Sequence, residues 1–185
     1  MLENQKDPFN VLAFDCGNVE SGVCIMSTDY KLLWFGKFNN TELMYDILPK
    51  QMSAFKPKRV IHEQIASYGM PVGESVFSTC IWIGKFSQYL ADAYGLYDKD
   101  AGLFEHEIDY VKRKQYITEL CGSSKAKDKN VKAYLVERFA PDTPNYGKGS
   151  KKNPGFFYGV SADAWSAIGI AVWYIDNLNK NIAHV

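Results

Sequence analysis

The hydrophobic and polar positions of this chain fall first into three short β-like runs. VLAFD (11–15), GVCIM (22–26) and LLWFGKF (32–38) are separated by turn residues at Gly17–Ser21 and Ser27–Lys31, a spacing that predicts an antiparallel meander. Thr41–Ala54 then shows helical periodicity, with Leu43, Ile47 and Leu48 on one face and Asn39 or Asn40 as cap. RVIHE (59–63) is a short buried strand. Gly73–Tyr94 reads as a long helix whose inward positions are Val76, Phe77, Cys80, Ile81, Phe86 and Leu90. FEHEIDYV (104–111) predicts a further strand, with a helical stretch starting near Arg113. Asp128–Phe139 predicts a basic helix with Val131, Leu135, Val136 and Phe139 inward. Ala140–Tyr158 is a long loop rich in Pro, Gly, Lys and Asn, of the kind that is often functional or mobile. Ser161 caps a last, mostly buried helix, Ala162–Asn177.

Strand–helix–strand crossovers are right-handed and parallel. The fourth strand therefore belongs beside the first. The expected fold is α/β: a mixed five-stranded sheet in the order 3-2-1-4-5, strand 2 antiparallel, with helices on both faces. The first and fourth strands are then parallel neighbours whose carboxyl ends share one edge.

A length of 185 residues suits one domain spanning 1–185, long enough to fold without disulfide or metal staples. Hydrophobic residues at 46% and charged residues at 23% exclude a disordered or fibrous chain. The opening MLENQKDPFN is polar and predicts no signal peptide, and no apolar run is long enough for a membrane helix. Cys16, Cys24, Cys80 and Cys121 form no CxxC pair and read as reduced thiols, so a cytoplasmic setting (host or bacterial) is expected. The zero net charge conceals an asymmetry. Val111–Lys152 holds eleven Lys/Arg against four Asp/Glu, net +7, which leaves −7 for the remainder. A basic stretch beside an acidic one is read either as ordinary solvated helix and loop or as a phosphate-binding surface next to an acidic site.

The acids supply the chemistry. Asp15 ends the first strand and Glu63 the fourth, so the expected sheet sets both carboxylates at the edge where open α/β sheets bind ligands. Asp163, in the first turn of the last helix, would add a third. Clustered carboxylates raise one another's pKa unless a hard cation neutralises them, and Mg²⁺ prefers such oxygen ligands. Two such ions about 3.5–4 Å apart stabilise the attacking water and the leaving oxygen in phosphodiester hydrolysis. Taken singly, each acid has an ordinary structural role: turn residue, strand end or helix N-terminal acid. His62 alternates with Glu63 along its strand and should face the other way. His106 and His184 lack metal-ligand spacing. Trp82, Trp165 and Trp173 suit core packing, whereas Tyr68 after Glu63 suits base stacking.

FDCGNVESGVCIM resembles the first hairpin of the RuvC-like Holliday junction resolvases of the RNase H-like superfamily. VIHEQIASYGM resembles that family's second motif, LCGSSKAKDKNVKAYLVERF its basic segment, and GVSADAWSAIGIAVWYI its final helix. The IASYGMPVG, CGSSKAKD and KKNPG…YGVS stretches are similar to those of phage and prophage members. The resemblance implies metal ligation by Asp15, Glu63 and Asp163. Ser166 stands where the family has a second final-helix acid, and a serine can hold a metal-bound water but brings no charge. It implies a catalytic lysine among Lys114, Lys125 and Lys127, with Lys127 preferred. DNA contacts are expected from Tyr68, Lys112, Arg113, Lys114, Lys125 and Lys129, and Tyr146, Lys148, Lys151 and Lys152 of the long loop either grip DNA backbone or belong to a disordered surface loop. The implied activity is Mg²⁺-dependent cleavage of branched DNA, foremost Holliday junctions, with Mn²⁺ substituting, by a homodimer off the membrane. Three alternatives differ from it: a non-catalytic branched-DNA-binding module, a nuclease acting on flaps or RNA–DNA hybrids, and an actin-like nucleotide-binding fold. The last needs two such domains, and this chain has room for one.

Overall fold

The computed structural model of the protein describes residues 7–67, 69, 71–95, 97–98, 107–161 and 164–182. β1 (Asn10–Asp15) pairs antiparallel with β2 (Glu20–Ser27), and β2 with β3 (Leu32–Asn39). A helical segment follows, then β4 (Arg59–Gln64), which lies parallel to β1 with Phe14 opposite His62. β6 (Glu107–Lys112) lies parallel to β4, and β5 (Tyr97–Asp98) extends that edge. The sheet order is β3-β2-β1-β4-β6-β5. The five expected strands stand in the expected order, and the two-residue β5 is an addition too short to carry a pattern. The expected strand from 104 begins at Glu107; residues 104–106 lie outside the described residues.

The alternation along each strand divides the core in two. Val11 and Ala13 of β1, with Ile61 of β4 and Val111 of β6, pack against α4 (Arg113–Cys121), α5 (Asp128–Phe139) and α6 (Ala164–Ile182). Leu12 and Phe14, with Val60 and Ile108, pack on the opposite face against α2 (Leu48–Phe55) and α3 (Glu74–Tyr94). β1 is therefore covered on both sides, and Val11 to Phe14 are fully buried. On α6, Ile168, Ile170 and Ile175 are also fully buried, and each contributes about 1.5–3 kcal/mol of apolar burial.

The expected helix 41–54 is interrupted. Asn39 accepts a hydrogen bond from the Thr41 amide at 3.0 Å and caps α1 (Asn40–Glu42), and a π-helical turn (Leu43–Ile47) precedes α2. The Leu48 amide bonds five residues back, to the Leu43 carbonyl. Pro49 follows with no N–H to give, and the wider turn accommodates its ring.

One expectation needs correction. On α3 the residues turned inward are Thr79, Ile83, Phe86 and Leu90, while Phe77 and Ile81 are 58% and 57% exposed and Cys80 is also exposed. The helix has two apolar stripes, and periodicity alone does not tell which one meets the sheet. The loop 140–158 is not an open excursion. The Gly147 amide bonds the Thr143 carbonyl, Gly149 bonds Pro144, Gly155 bonds Lys148 and Phe157 bonds Gly147, at 2.9–3.1 Å, and Phe157 is fully buried. A Cβ on Gly155 would stand 2.4 Å from the Gly147 carbonyl oxygen, so close chain approach requires glycine there.

Candidate active site

β1 ends at Asp15 and β4 runs on past Glu63, in register, so the two acids close the same edge of the sheet. Both belong to the face that carries Ala13 and Ile61. The turn after Asp15 is braced from beneath. Asn40, 1% exposed, accepts from the Ser21 hydroxyl at 2.6 Å and donates to the Gly17 carbonyl at 2.9 Å, and the Ser21 oxygen accepts from the Gly17 amide. A Cβ on Gly17 would lie 2.3 Å from the Glu20 carbonyl oxygen, which explains the glycine two residues after the acid. Asp15, Cys16, Gly17, Glu20 and Lys37 line an open cleft of about 300 Å³.

Glu63 is held from the other side. Its side chain is only 11% exposed. The Tyr116 hydroxyl donates to its Oε2 at 3.1 Å. Arg113 donates from Nη1 to the Tyr116 oxygen at 3.1 Å and to Glu63 at 3.5 Å, and from Nη2 to Asp128, the first residue of α5. Burial, followed by the Asp15 charge, pushes the Glu63 carboxyl up to about 7, against the pull of Arg113 and Tyr116. The same two carboxylates, after burial, push the Cys16 thiol well up. Two neighbouring carboxylates, one of them mostly buried, are the oxygen donors that a hard divalent cation takes.

His62 faces away from the acids, as the strand alternation predicts. It stacks on Phe14 and Tyr110 with ring centroids at 4.5 and 5.8 Å, and its Nδ1 lies 3.6 Å from Cys16 Sγ. Its Nε2 is buried with no hydrogen-bond partner among the described residues. Burial drives its pKa down to about 3, so the ring is neutral.

Asp163 and Tyr68 lie outside the described residues, as do His106 and His184. Among the described residues, no group of three or more His, Cys, Asp or Glu is arranged to hold a metal ion. Ser166 sits in the first turn of the described α6, 8% exposed. Lys127 caps α5 with its backbone, its amide donating to Asn130 Oδ1, and together with Lys129 it flanks Asp128. Lys112, Lys114, Lys125, Lys151 and Lys152 are exposed and Lys148 is half-buried. Of the basic residues singled out from the sequence, Arg113 is the one whose guanidinium bonds Glu63 directly. Sequence reasoning missed Tyr116 as its companion, although the i, i+3 spacing right after a strand end carried that signal. It offered Asn40 only as a helix cap and missed that its buried amide braces the turn after Asp15. Trp165 and Trp173 are buried as expected, and Trp82 packs at 5.6 Å on Phe86.

The fold that brings these two strand ends together is matched in solved structures. RuvC of Thermus thermophilus aligns over 94% of this chain and 98% of its own, at a TM-score of 0.59 and 14% identity. The chain has the RuvC fold. RuvC of the same organism in complex with Holliday junction substrate gives a TM-score of 0.60 at 13% identity, over 94% and 97% of the two chains. The fowlpox virus Holliday junction resolvase gives 0.53 at 11% identity, over 91% and 99%. No protein-family model and no curated protein matches the sequence.

Proposed function

We propose that this protein is a RuvC-like, metal-dependent endonuclease of a single domain that cuts branched DNA, four-way junctions above all. The observation that carries the reading is the Asp15–Glu63 pair at one edge of a RuvC-type sheet, with the Glu63 carboxyl raised by burial and by its neighbour. The fold shared with resolvases, one of them described with its Holliday junction substrate, supports the substrate class.

Asp15 and Glu63, with Asp163 and Ser166, would hold Mg²⁺ or Mn²⁺. When bound, the ion supplies charge neutralisation at the scissile phosphate and an activated water. The chain's own groups do the rest. Tyr116 and Arg113 fix the Glu63 carboxylate, and Asn40 and Ser21 fix the turn that follows Asp15. Lys127 and Lys129, exposed at the start of α5, would meet phosphate. Two nicks across a junction of two-fold symmetry call for two copies of the chain. The exposed Phe77–Cys80–Ile81 stripe of α3 supports a homodimer.

Cleavage of labelled four-way junction, flap, linear duplex and RNA–DNA hybrid in Mg²⁺ or Mn²⁺ tests the reading. Symmetric junction nicks that disappear in Asp15→Ala, with junction binding retained, are expected. Normal cutting by that variant would overturn the site. Ser166 favours a second reading, a binding module without cleavage. Junction binding by the wild type with no Mg²⁺ or Mn²⁺ uptake in calorimetry would select it.

A further inference from the structure

Of the four aromatic side chains of the 140–158 segment, Phe157 is buried, Phe156 is half-buried, and Tyr146 and Tyr158 are exposed. Phe156 and Phe157 form a chain of ring contacts with Phe139 and Trp165 at centroid distances of 4.6–6.5 Å. Tyr146 is left outside, 67% exposed. Asn145 and Tyr146 are successive non-glycine residues in the left-handed region, at φ 56° and 57°. The turn that holds them is closed by the Gly147–Thr143, Gly149–Pro144 and Phe157–Gly147 backbone hydrogen bonds. An unfavourable backbone is thus held in place to present a ring to solvent.

That ring carries a cation. Lys132 Nζ lies 3.7 Å from the Tyr146 centroid and 5.3 Å from that of Trp165. Lys132 sits one turn along α5 from Asp128, which binds Arg113, which reaches Glu63. That turn is roughly 6 Å of helix rise, so Lys132 and the residue that anchors Arg113 share one end of α5. The sequence here is basic: Lys148, Lys151 and Lys152 lie in the segment, where Asp142 is the acid between Ala140 and Tyr158, and Lys129 lies on α5. A rigid exposed ring, a cation against it and a positive field suit a nucleotide better than an apolar protein surface.

We propose that Tyr146 and Lys132 form a nucleotide-stacking site, in which a base unpaired at the branch point stacks on the Tyr146 ring and Lys132 meets its phosphate. This rests on the branched-DNA reading and adds to it a contact that recognises the unpaired base itself. It is separate from the segment after Glu63.

The test uses the full chain with Ca²⁺ in place of the catalytic ion, a four-way junction carrying 2-aminopurine beside the crossover, and a linear duplex of matched sequence. Tyr146→Ala is expected to weaken junction binding roughly tenfold, leave duplex binding unchanged and abolish the 2-aminopurine quench. Tyr146→Phe keeps the ring and is expected to behave as wild type. Unchanged thermal unfolding of both variants would exclude a folding defect. Unaltered junction binding by Tyr146→Ala, or equal weakening on junction and duplex, would overturn the stacking site and leave the nuclease reading standing. A wild type with no preference for the junction over the duplex would overturn both.

Discussion

Glu63 and His62 are consecutive residues whose titrations oppose each other. The Glu63 carboxyl is raised to about 7 in the folded chain, so between pH 4.5 and 7 the native state holds a proton that the unfolded state has lost, and stability falls as pH rises. His62 is lowered to about 3, so between pH 3 and 6.5 the unfolded state holds the extra proton, and stability rises with pH. From pH 4.5 to 6.5 the two contributions offset. Glu63→Gln removes one of them. Urea unfolding of this variant is expected to show stability rising across that window with a slope approaching 1.4 kcal/mol per pH unit, where the wild type is nearly flat. A flat profile in the variant would mean that the His62 ring is not held neutral by burial. These two side chains are adjacent in sequence and reach opposite faces of the sheet. Strand alternation alone made that division readable, whereas the Tyr116 hydroxyl on Glu63 required the fold.

At the level of elements, legibility followed the strength of the local signal. α5 has the bounds that its pattern predicts, Asp128–Phe139, because a polar start and a regular apolar face define it. The segment 40–55 was readable as helical but not as a helix with a π turn, because that irregularity depends on how Pro49 is accommodated. On α3 the apolar count exceeded what one face can bury. The sheet takes Ile83, Phe86 and Leu90 and leaves Phe77, Cys80 and Ile81 outside. The excess is itself informative, since exposed apolar stripes mark association surfaces. If the proposed homodimer forms through this stripe, the Phe77→Asp, Ile81→Asp double variant is expected to sediment as a monomer where the wild type sediments as a dimer, with its far-UV circular dichroism unchanged because neither side chain packs in the core of one copy. A dimeric double variant would place the two-fold contact elsewhere on the chain.

Across the whole molecule, the proposed function ties the charge asymmetry to the acidic pair. A carboxylate pair would repel the phosphates of a DNA substrate, and the net +7 of Val111–Lys152 would compensate. Arg113 joins the two regions, since it follows β6 directly, opens α4, and bonds both Glu63 and Asp128. The sequence made the imbalance visible. It could not show that α5 starts beside β4, because that proximity comes from the parallel β4–β6 pair and the short α4 between them. If the basic stretch grips backbone, binding should fall steeply with salt, with log K changing by about 0.9 per log salt for each phosphate contact. Replacing Lys148, Lys151 and Lys152 together by alanine is expected to weaken junction and duplex binding alike and to lower the slope by up to about 3, measured by fluorescence anisotropy from low to moderate salt. Tyr146→Ala, by contrast, should leave the slope unchanged, because a stacked ring releases no counterion. An unaltered slope in the triple variant would shift the phosphate grip to the first turn of α5, where Lys127 and Lys129 flank the aspartate that holds Arg113.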